Sequence, residues 1–388
     1  MRGRLVLIVI VFVLSSTSCA QSCTVSIERR IQNVEDGLLG TYGDPPWERM
    51  EIAERMAYYN VPGVRNSGNA HTGGDSEQKH WRALMKYAKS VIDLVGKTPL
   101  LHLERFCPTA VVLAKCEFCN PVSLKDRPVL QIIHDAEQQG KLKPGDTLIE
   151  ATSGNTGMAV SWVSAIRGYH AILVMSEIQS VERRKVMQSF GAEIVLTPAS
   201  EGTAGARRKL KEILKANPEY FYVGQHVNMS NPQAHYETTG PELWKDTDGK
   251  IDILVAGLGT GGTLCGSGCY LKEQNPKVQL IAVEPEHAPY ISHGIFRPHR
   301  MMGTAPGFVP ETLDRDIIDD FFLVSEKDAF AACRSIARKE GLLVGITSGA
   351  TAHAAKQLAM RPENVGKVIV CVFADTGERY MSVEGLFT

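Results

Sequence analysis

No block of basic residues disturbs the charge balance of this chain. Across 388 residues, 42 Lys plus Arg face 43 Asp plus Glu, a formal net charge of −1. Nucleic acid and polyphosphate need a cationic footprint, so both are excluded as partners. The apolar run Leu5–Leu14 falls short of the roughly 20 residues that a membrane-spanning helix requires. No second CxxC and no nearby His pair completes the half-site Cys116–Cys119, so no metal centre is expected. No Lys-Ser or Lys-Thr ends the glycine-rich loop Gly257–Thr263, which excludes a Walker-type triphosphate site.

The N-terminus carries a positive statement. Arg2 and Arg4 precede the run Leu5–Leu14, and small residues follow at Ser18 and Ala20. This is the pattern of a secretory signal peptide cleaved after Ala20, which predicts entry into the secretory pathway; a cytoplasmic protein is the alternative if the segment does not act as a leader. Residues 21–89 read as an extension with a helical stretch, Trp47–Tyr59, and a polar linker, Arg65–Lys79. Most other cysteines lie inside apolar strand or helix patterns and are expected to be small buried hydrophobes. Asn228-Met229-Ser230 is a glycosylation sequon, read as a chance match.

From about Ser90, with 44% hydrophobic content overall, the pattern becomes regular α/β alternation. Strand-length apolar runs occur at Val111–Ala114, Thr147–Glu150, Ala171–Met175, Ile194–Thr197, Ile251–Ala256, Gln279–Val283 and Val368–Phe373, with a strand-like Leu342–Val344. Helical periodicity intervenes at Val129–Gln139, Gly157–Ile166, Val181–Phe190, Gly205–Ala216, Pro232–Trp244, Gly262–Lys272, Lys327–Glu340 and Ser348–Met360. Such alternation predicts mostly parallel open sheets with helices on both faces.

Four strand-to-helix loops then carry the chemistry, and in a parallel sheet they converge on one edge. Asn120–Arg127 supplies Lys125. Thr152–Gly157 gathers hydroxyls and backbone N–H groups at a helix start, a cradle suited to a carboxylate. Gly257–Thr263 places four glycines and two threonines where the backbone can curl around a phosphate, and a cofactor monophosphate fits it better than a dinucleotide. Gly345–Ala350 adds the hydroxyls of Thr347 and Ser348. An amine, a carboxylate cradle, a phosphate cup and a hydroxyl are what pyridoxal phosphate and an amino acid require together.

With those loops in order, the chain from about Ser90 to Tyr380 resembles the cysteine synthase and cystathionine β-synthase family of pyridoxal-phosphate enzymes. The matching stretches are Val95–Leu100, Asn120-Pro121 with Ser123–Arg127, Thr152–Gly157, Glu182-Arg183-Arg184, Gly191-Ala192-Glu193, Thr238–Glu242, Gly257–Thr263, Thr347–Ala350 and Gly377–Tyr380. The resemblance implies the two-domain fold of type II pyridoxal-phosphate enzymes, like the tryptophan synthase β chain. It places a smaller mobile subdomain over about 130–230 and a larger one over about 90–129 and 231–388. It also implies a homodimer.

Residue by residue, the resemblance makes Lys125 the catalytic amine that forms a Schiff base with the cofactor. Asn155 would bond the cofactor's phenolic oxygen, and Gly259, Thr260, Gly261, Gly262 and Thr263 would hold its phosphate. Thr347, or in second place Ser348, would face the ring nitrogen. Thr152, Ser153, Gly154, Thr156 and Gln225 would bind the amino-acid carboxylate. The implied reaction is β-replacement through an aminoacrylate, joining sulfide or cyanide to O-acetylserine, serine or cysteine. Cystathionine β-synthase activity is an alternative. Another is a sensor with little or no turnover that binds the C-terminal peptide of a partner protein in the same cleft.

Two departures from the family pattern stand out. Only Val122 separates Pro121 from Ser123, where the family has two residues. Pro306 enters Gly303–Pro310, a segment that lines the cleft entrance in the family.

Overall fold

A computed structural model describes residues 87–387. The expectations of a leader over 1–20, a helix over Trp47–Tyr59 and a linker over Arg65–Lys79 lie outside the described residues. Among these no helix is long and apolar enough to cross a membrane.

The large sheet begins with β1 (Leu100–His102) and β2 (Val111–Cys116), an antiparallel pair. The helix α1 (Asp126–Gln138) leads into a second sheet, built from β3 (Thr147–Ala151), α2 (Asn155–Arg167), β4 (His170–Ser176), α3 (Val181–Ser189), β5 (Glu193–Thr197), α4 (Gly202–Ala216) and β6 (Phe221–Tyr222). Its four strands are all parallel, in the order β5-β4-β3-β6.

The chain then passes through α5 (Ser230–Ala234), a π-helical turn (His235–Thr239) and α6 (Gly240–Asp246), and returns to the first sheet. There it adds β7 (Ile251–Gly257), α7 (Gly262–Gln274), β8 (Gln279–Pro285), α8 (Tyr290–His293), β9 (Asp320–Val324), α9 (Glu326–Glu340), α10 (Ile346–Ala359) and β10 (Val368–Phe373). The strand order is β1-β2-β10-β7-β8-β9, and every pairing except β1–β2 is parallel.

The continuous apolar runs follow from burial on both faces. In β10, Ile369, Cys371 and Phe373 pack with α9 and α10 residues such as Phe330 and Leu358. The alternate residues Val370 and Val372 face Leu243 of α6 and Leu264 and Leu271 of α7. The smaller sheet repeats the scheme. Leu148, Leu173 and Met175 pack with α1 and α2, while Ile149 and Val174 meet Ala206 and Leu210 of α4. Cys107, Cys116, Cys265, Cys333 and Cys371 are buried as expected, whereas Cys119 and Cys269 are exposed.

Three details differ from the sequence reading. Pro232–Trp244 is not one helix: Pro241 has no N–H to return to the preceding turn, and a π-helical turn intervenes before the helix restarts. Leu342–Val344 forms no strand, since only Val344 finds a bridge partner, Thr376. The strands β1, β6 and β9 are additional.

Candidate active site

The four loops meet at one cleft of about 730 Å³, placed at the carboxyl ends of β3, β7 and β10. Lys125, Thr152, Ser153, Gly154, Asn155, Thr156, Gln225, Gly259, Thr260, Gly261, Thr263 and Thr347 all line it. Gly262 stands behind the wall: a Cβ there would run into the amide of Asn231. Ser348 is fully buried, and its Oγ accepts a hydrogen bond from Ala374 N at 3.0 Å. Of the two hydroxyls proposed for one role, only Thr347 reaches the cleft; it donates to Met302 O at 3.0 Å.

Lys125 precedes α1 on a loop whose backbone groups are well satisfied. Val122 N and Ser123 N donate to the Asp126 carboxylate at 2.7 and 3.2 Å, Leu124 N donates to Ala374 O at 3.0 Å, and Lys125 N donates to Ser123 Oγ at 3.2 Å. The shortened loop is thus closed by Asp126. Burial pushes that carboxyl up to about 7 against those same hydrogen bonds and the nearby Arg379.

Beneath the loop lies a buried ionic network. Arg127 grips Glu117 with Nε at 2.7 Å and Nη2 at 2.8 Å, and it also reaches Glu242. Lys115, wholly buried, donates to Thr98 O at 2.6 Å and pairs with Glu242 at 2.8 Å. Burial lowers the Lys125 ammonium to about 8, while Asp375 pulls in the opposite direction. Lys125 therefore loses its proton far more readily than an ordinary lysine.

The loops expected to serve as a carboxylate cradle and a phosphate cup are also held by internal hydrogen bonds. Thr156 Oγ1 donates to Gln225 Oε1 at 2.6 Å, joining two of the predicted substrate contacts. In the glycine loop, Thr260 Oγ1 accepts from Gly262 N at 3.2 Å and from Asn231 Nδ2 at 3.0 Å. Gly261 has φ +83°, in the left-handed region, and opens the N-terminus of the 13-residue α7. A Cβ on Gly259 would stand 2.6 Å from Gly303 O, so only glycine lets the two segments approach.

Asp375, Arg379 and Tyr380 received no role from the sequence, although the stretch containing the last two was among the family matches. Asp375 Oδ2 accepts from Asn155 Nδ2 at 2.7 Å and from Tyr380 Oη at 2.5 Å. Its buried Oδ1 has no partner among the described residues. His226, Arg183 and Arg207 also line the cleft. Burial, Arg207 and Lys125 together depress His226 to about 3, so its imidazole is neutral.

A glycine cup at a helix N-terminus, a lysine with a lowered pKa and an orphaned carboxylate oxygen fit a phosphorylated aldehyde cofactor. A family model described as pyridoxal-phosphate dependent enzyme matches residues 91–375. The chain belongs to that family. Within it the chain is of the cysteine-synthase type. A cysteine synthase of Staphylococcus aureus strain N315 is 44% identical over 301 residues, spanning 76% of this chain and 96% of the relative. The solved O-acetyl serine sulfhydrylase isoform 3 of Entamoeba histolytica is 36% identical, with a TM-score of 0.75 over 79% of this chain and 93% of that one. An O-ureido-L-serine synthase structure is 39% identical, with a TM-score of 0.75 over 77% and 95%. Like its family, this enzyme depends on pyridoxal phosphate.

Proposed function

We propose that this pyridoxal-phosphate enzyme performs β-replacement: it exchanges the β-substituent of O-acetylserine or serine for sulfide, giving cysteine, or that of O-acetylserine, serine or cysteine for cyanide, giving β-cyanoalanine. The observation that carries this reading is Lys125, depressed to about 8 and set in one cleft with a carboxylate cradle and a glycine cup. When bound, pyridoxal phosphate supplies an electron sink that makes the substrate's α-proton acidic and lets the β-substituent leave.

The protein's own groups do the rest. The loop Gly259–Thr263 would hold the phosphate with backbone N–H groups and the positive end of α7. Thr152, Ser153, Gly154, Thr156 and Gln225 would fix the α-carboxylate. Thr347 offers a hydroxyl in place of a carboxylate toward the ring nitrogen. A hydroxyl does not stabilise a protonated ring nitrogen, which directs the reaction toward loss of the β-substituent. Lys125 Nζ would take the α-proton and return it once the nucleophile has added. A homodimer belongs to the same proposal, and sedimentation of the purified protein tests it.

The decisive experiment mixes purified holoprotein with O-acetylserine and sulfide and measures cysteine. Absence of cysteine from O-acetylserine or serine with sulfide, and of β-cyanoalanine from O-acetylserine, serine or cysteine with cyanide, would refute the proposal.

A second reading is capture of a partner's C-terminal carboxylate in the same cradle, without turnover. It is favoured by the segment at the cleft mouth, where Ala305 adopts φ +46° directly before Pro306. A yellow, inactive protein that binds peptides with a free carboxylate, but not their amides, would support it.

A further inference from the structure

One amide in the cleft is held from both sides by groups that fix its orientation. Asn155, the first residue of α2, lines the cleft. Its Oδ1 accepts from Arg379 Nη1 at 2.8 Å, and its Nδ2 donates to Asp375 Oδ2 at 2.7 Å. A guanidinium only donates and a carboxylate only accepts. Exchanging the oxygen and nitrogen of the amide would set Arg379 against an NH2 group and Asp375 against a carbonyl. In the orientation observed, one Nδ2–H is left without an acceptor among the described residues.

Asp375 is seated as firmly as the amide it holds. It is 1% exposed, and its backbone carbonyl accepts from Gly345 N at 3.0 Å. On either side, Ala374 N donates to Ser348 Oγ at 3.0 Å and Gly377 N donates to Leu343 O at 2.9 Å. The carboxylate packs against Gly345, where a Cβ would strike its Oδ1. Tyr380 Oη donates to the same Oδ2 at 2.5 Å. Burial, and after it the charge of Asp375, hold the Tyr380 hydroxyl well above its ordinary value, so it keeps the proton that it donates.

Packing alone does not call for an acid at this position. A buried carboxylate costs stability unless it is fully hydrogen-bonded, and Asp375 Oδ1 has no partner among the described residues. An apolar side chain of similar shape would fill the place without that cost. It could not hold Asn155. Without an acceptor at Nδ2 the amide hangs from Arg379 alone and can swing its N–H away from the cleft. With both partners the amide is fixed, and Arg379, by drawing charge onto Oδ1, makes the remaining N–H a better donor.

We propose that Asp375 is a positioning residue: with Arg379 it locks the Asn155 amide in the one orientation that offers an N–H to the cofactor's phenolic oxygen. The inference rests on the part given to Asn155 in the proposed site, and not on which donor or nucleophile the enzyme uses.

The test uses the purified full chain and two cofactors, pyridoxal phosphate and its deoxy analogue that lacks the phenolic oxygen. Apoprotein is titrated with each, and the quantity read is the ratio of the two dissociation constants, the preference for the phenolic oxygen. A general loosening of the site weakens both cofactors alike and cancels. Asn155→Ala removes the donor and sets the floor. Asp375→Ala should lower the preference about 10-fold, and Asp375→Asn, which keeps an acceptor, should retain most of it. Wild-type preference in Asp375→Ala or in Asn155→Ala overturns the proposal. So does a loss in Asp375→Asn as large as that in Asp375→Ala, because charge and not the pinned amide would then be responsible. Should Asp375→Ala fail to fold, Arg379→Ala reads the other side of the amide, with the same expectation and the same refuting result. Cysteine formation by the same proteins is scored separately, so failure of the β-replacement reading and failure of this one are told apart.

Discussion

Arg379 Nη1 donates to Asn155 Oδ1 at 2.8 Å, and Nη2 of the same guanidinium donates to the carbonyl of Val122. One side chain beyond β10 thereby ties the loop before Lys125 to the start of α2 after the loop Thr152–Gly154. Arg379→Ala removes two charge-assisted bonds and frees Asn155. Stability should drop by roughly 1.5–3 kcal/mol, and affinity for pyridoxal phosphate should weaken with it. Chemical denaturation and cofactor titration check both. A variant that binds the cofactor as tightly as wild type would mean the bridge is not part of the binding geometry.

Lys125→Ala should give a protein that folds but stays colourless with pyridoxal phosphate, and persistent yellow colour would show that another lysine is used. Capture of the cofactor needs the neutral amine, which dominates only above a pKa of about 8. Reconstitution of apoprotein should therefore speed up as pH rises from 7 and level off beyond about 8.5. An unperturbed lysine would keep accelerating toward pH 10, and that profile would contradict the assigned burial.

Gly259→Ala places a methyl group 2.6 Å from the carbonyl oxygen of Gly303. Backbone cannot move aside as a flexible side chain would. The cup should open at a cost of about 1–3 kcal/mol, most of it appearing as lost cofactor affinity. Equal affinity in equilibrium dialysis would show that the loop has slack.

Burial works to raise the Glu242 pKa, but hydrogen bonds and charge from Arg127 and Lys115 prevail and hold it at about 2. A depressed carboxylate stabilises the fold fully above its unfolded pKa near 4.5, and the contribution is lost as pH falls toward about 2. Wild-type stability should therefore decline through that window. Glu242→Gln should be less stable at pH 7 and show a flatter acid limb, and parallel curves for the two proteins would refute the linkage.

Ala305 holds φ +46° with a proline following. Ala305→Gly should relieve the strain and raise stability by about 1 kcal/mol in urea unfolding. Destabilisation would mean the methyl group's packing outweighs the backbone cost.

The four loops were legible in the sequence because each depends on local chemistry: glycines where the backbone must turn tightly, hydroxyls at helix starts, and a lysine after a strand. The large-sheet strands β7, β8 and β10 were legible because burial on both faces makes them unbroken apolar runs. The edge strands β1 and β9 were not, since their residues are mostly only half-buried. Arg183 and Arg207 were also hidden, because an arginine in a helix normally points to water and only tertiary packing brings these two to the cleft. Asp375 and Arg379 act on partners more than 200 residues away, at Asn155 and Val122. No local pattern encodes such pairings.

The position of β10 has a consequence for biosynthesis. It lies between β2 and β7, with Val368 registered against Val111, and the loop after it supplies Asp375 and Tyr380 to the cleft and Arg379 to Asn155. A chain still emerging from the ribosome can form the all-parallel smaller sheet once residue 222 is out, yet the centre of the other sheet stays open until residue 373 follows. The cleft is then complete only once the loop after β10 has emerged, and until that moment the facing edges of β2 and β7 are unpaired and in need of protection.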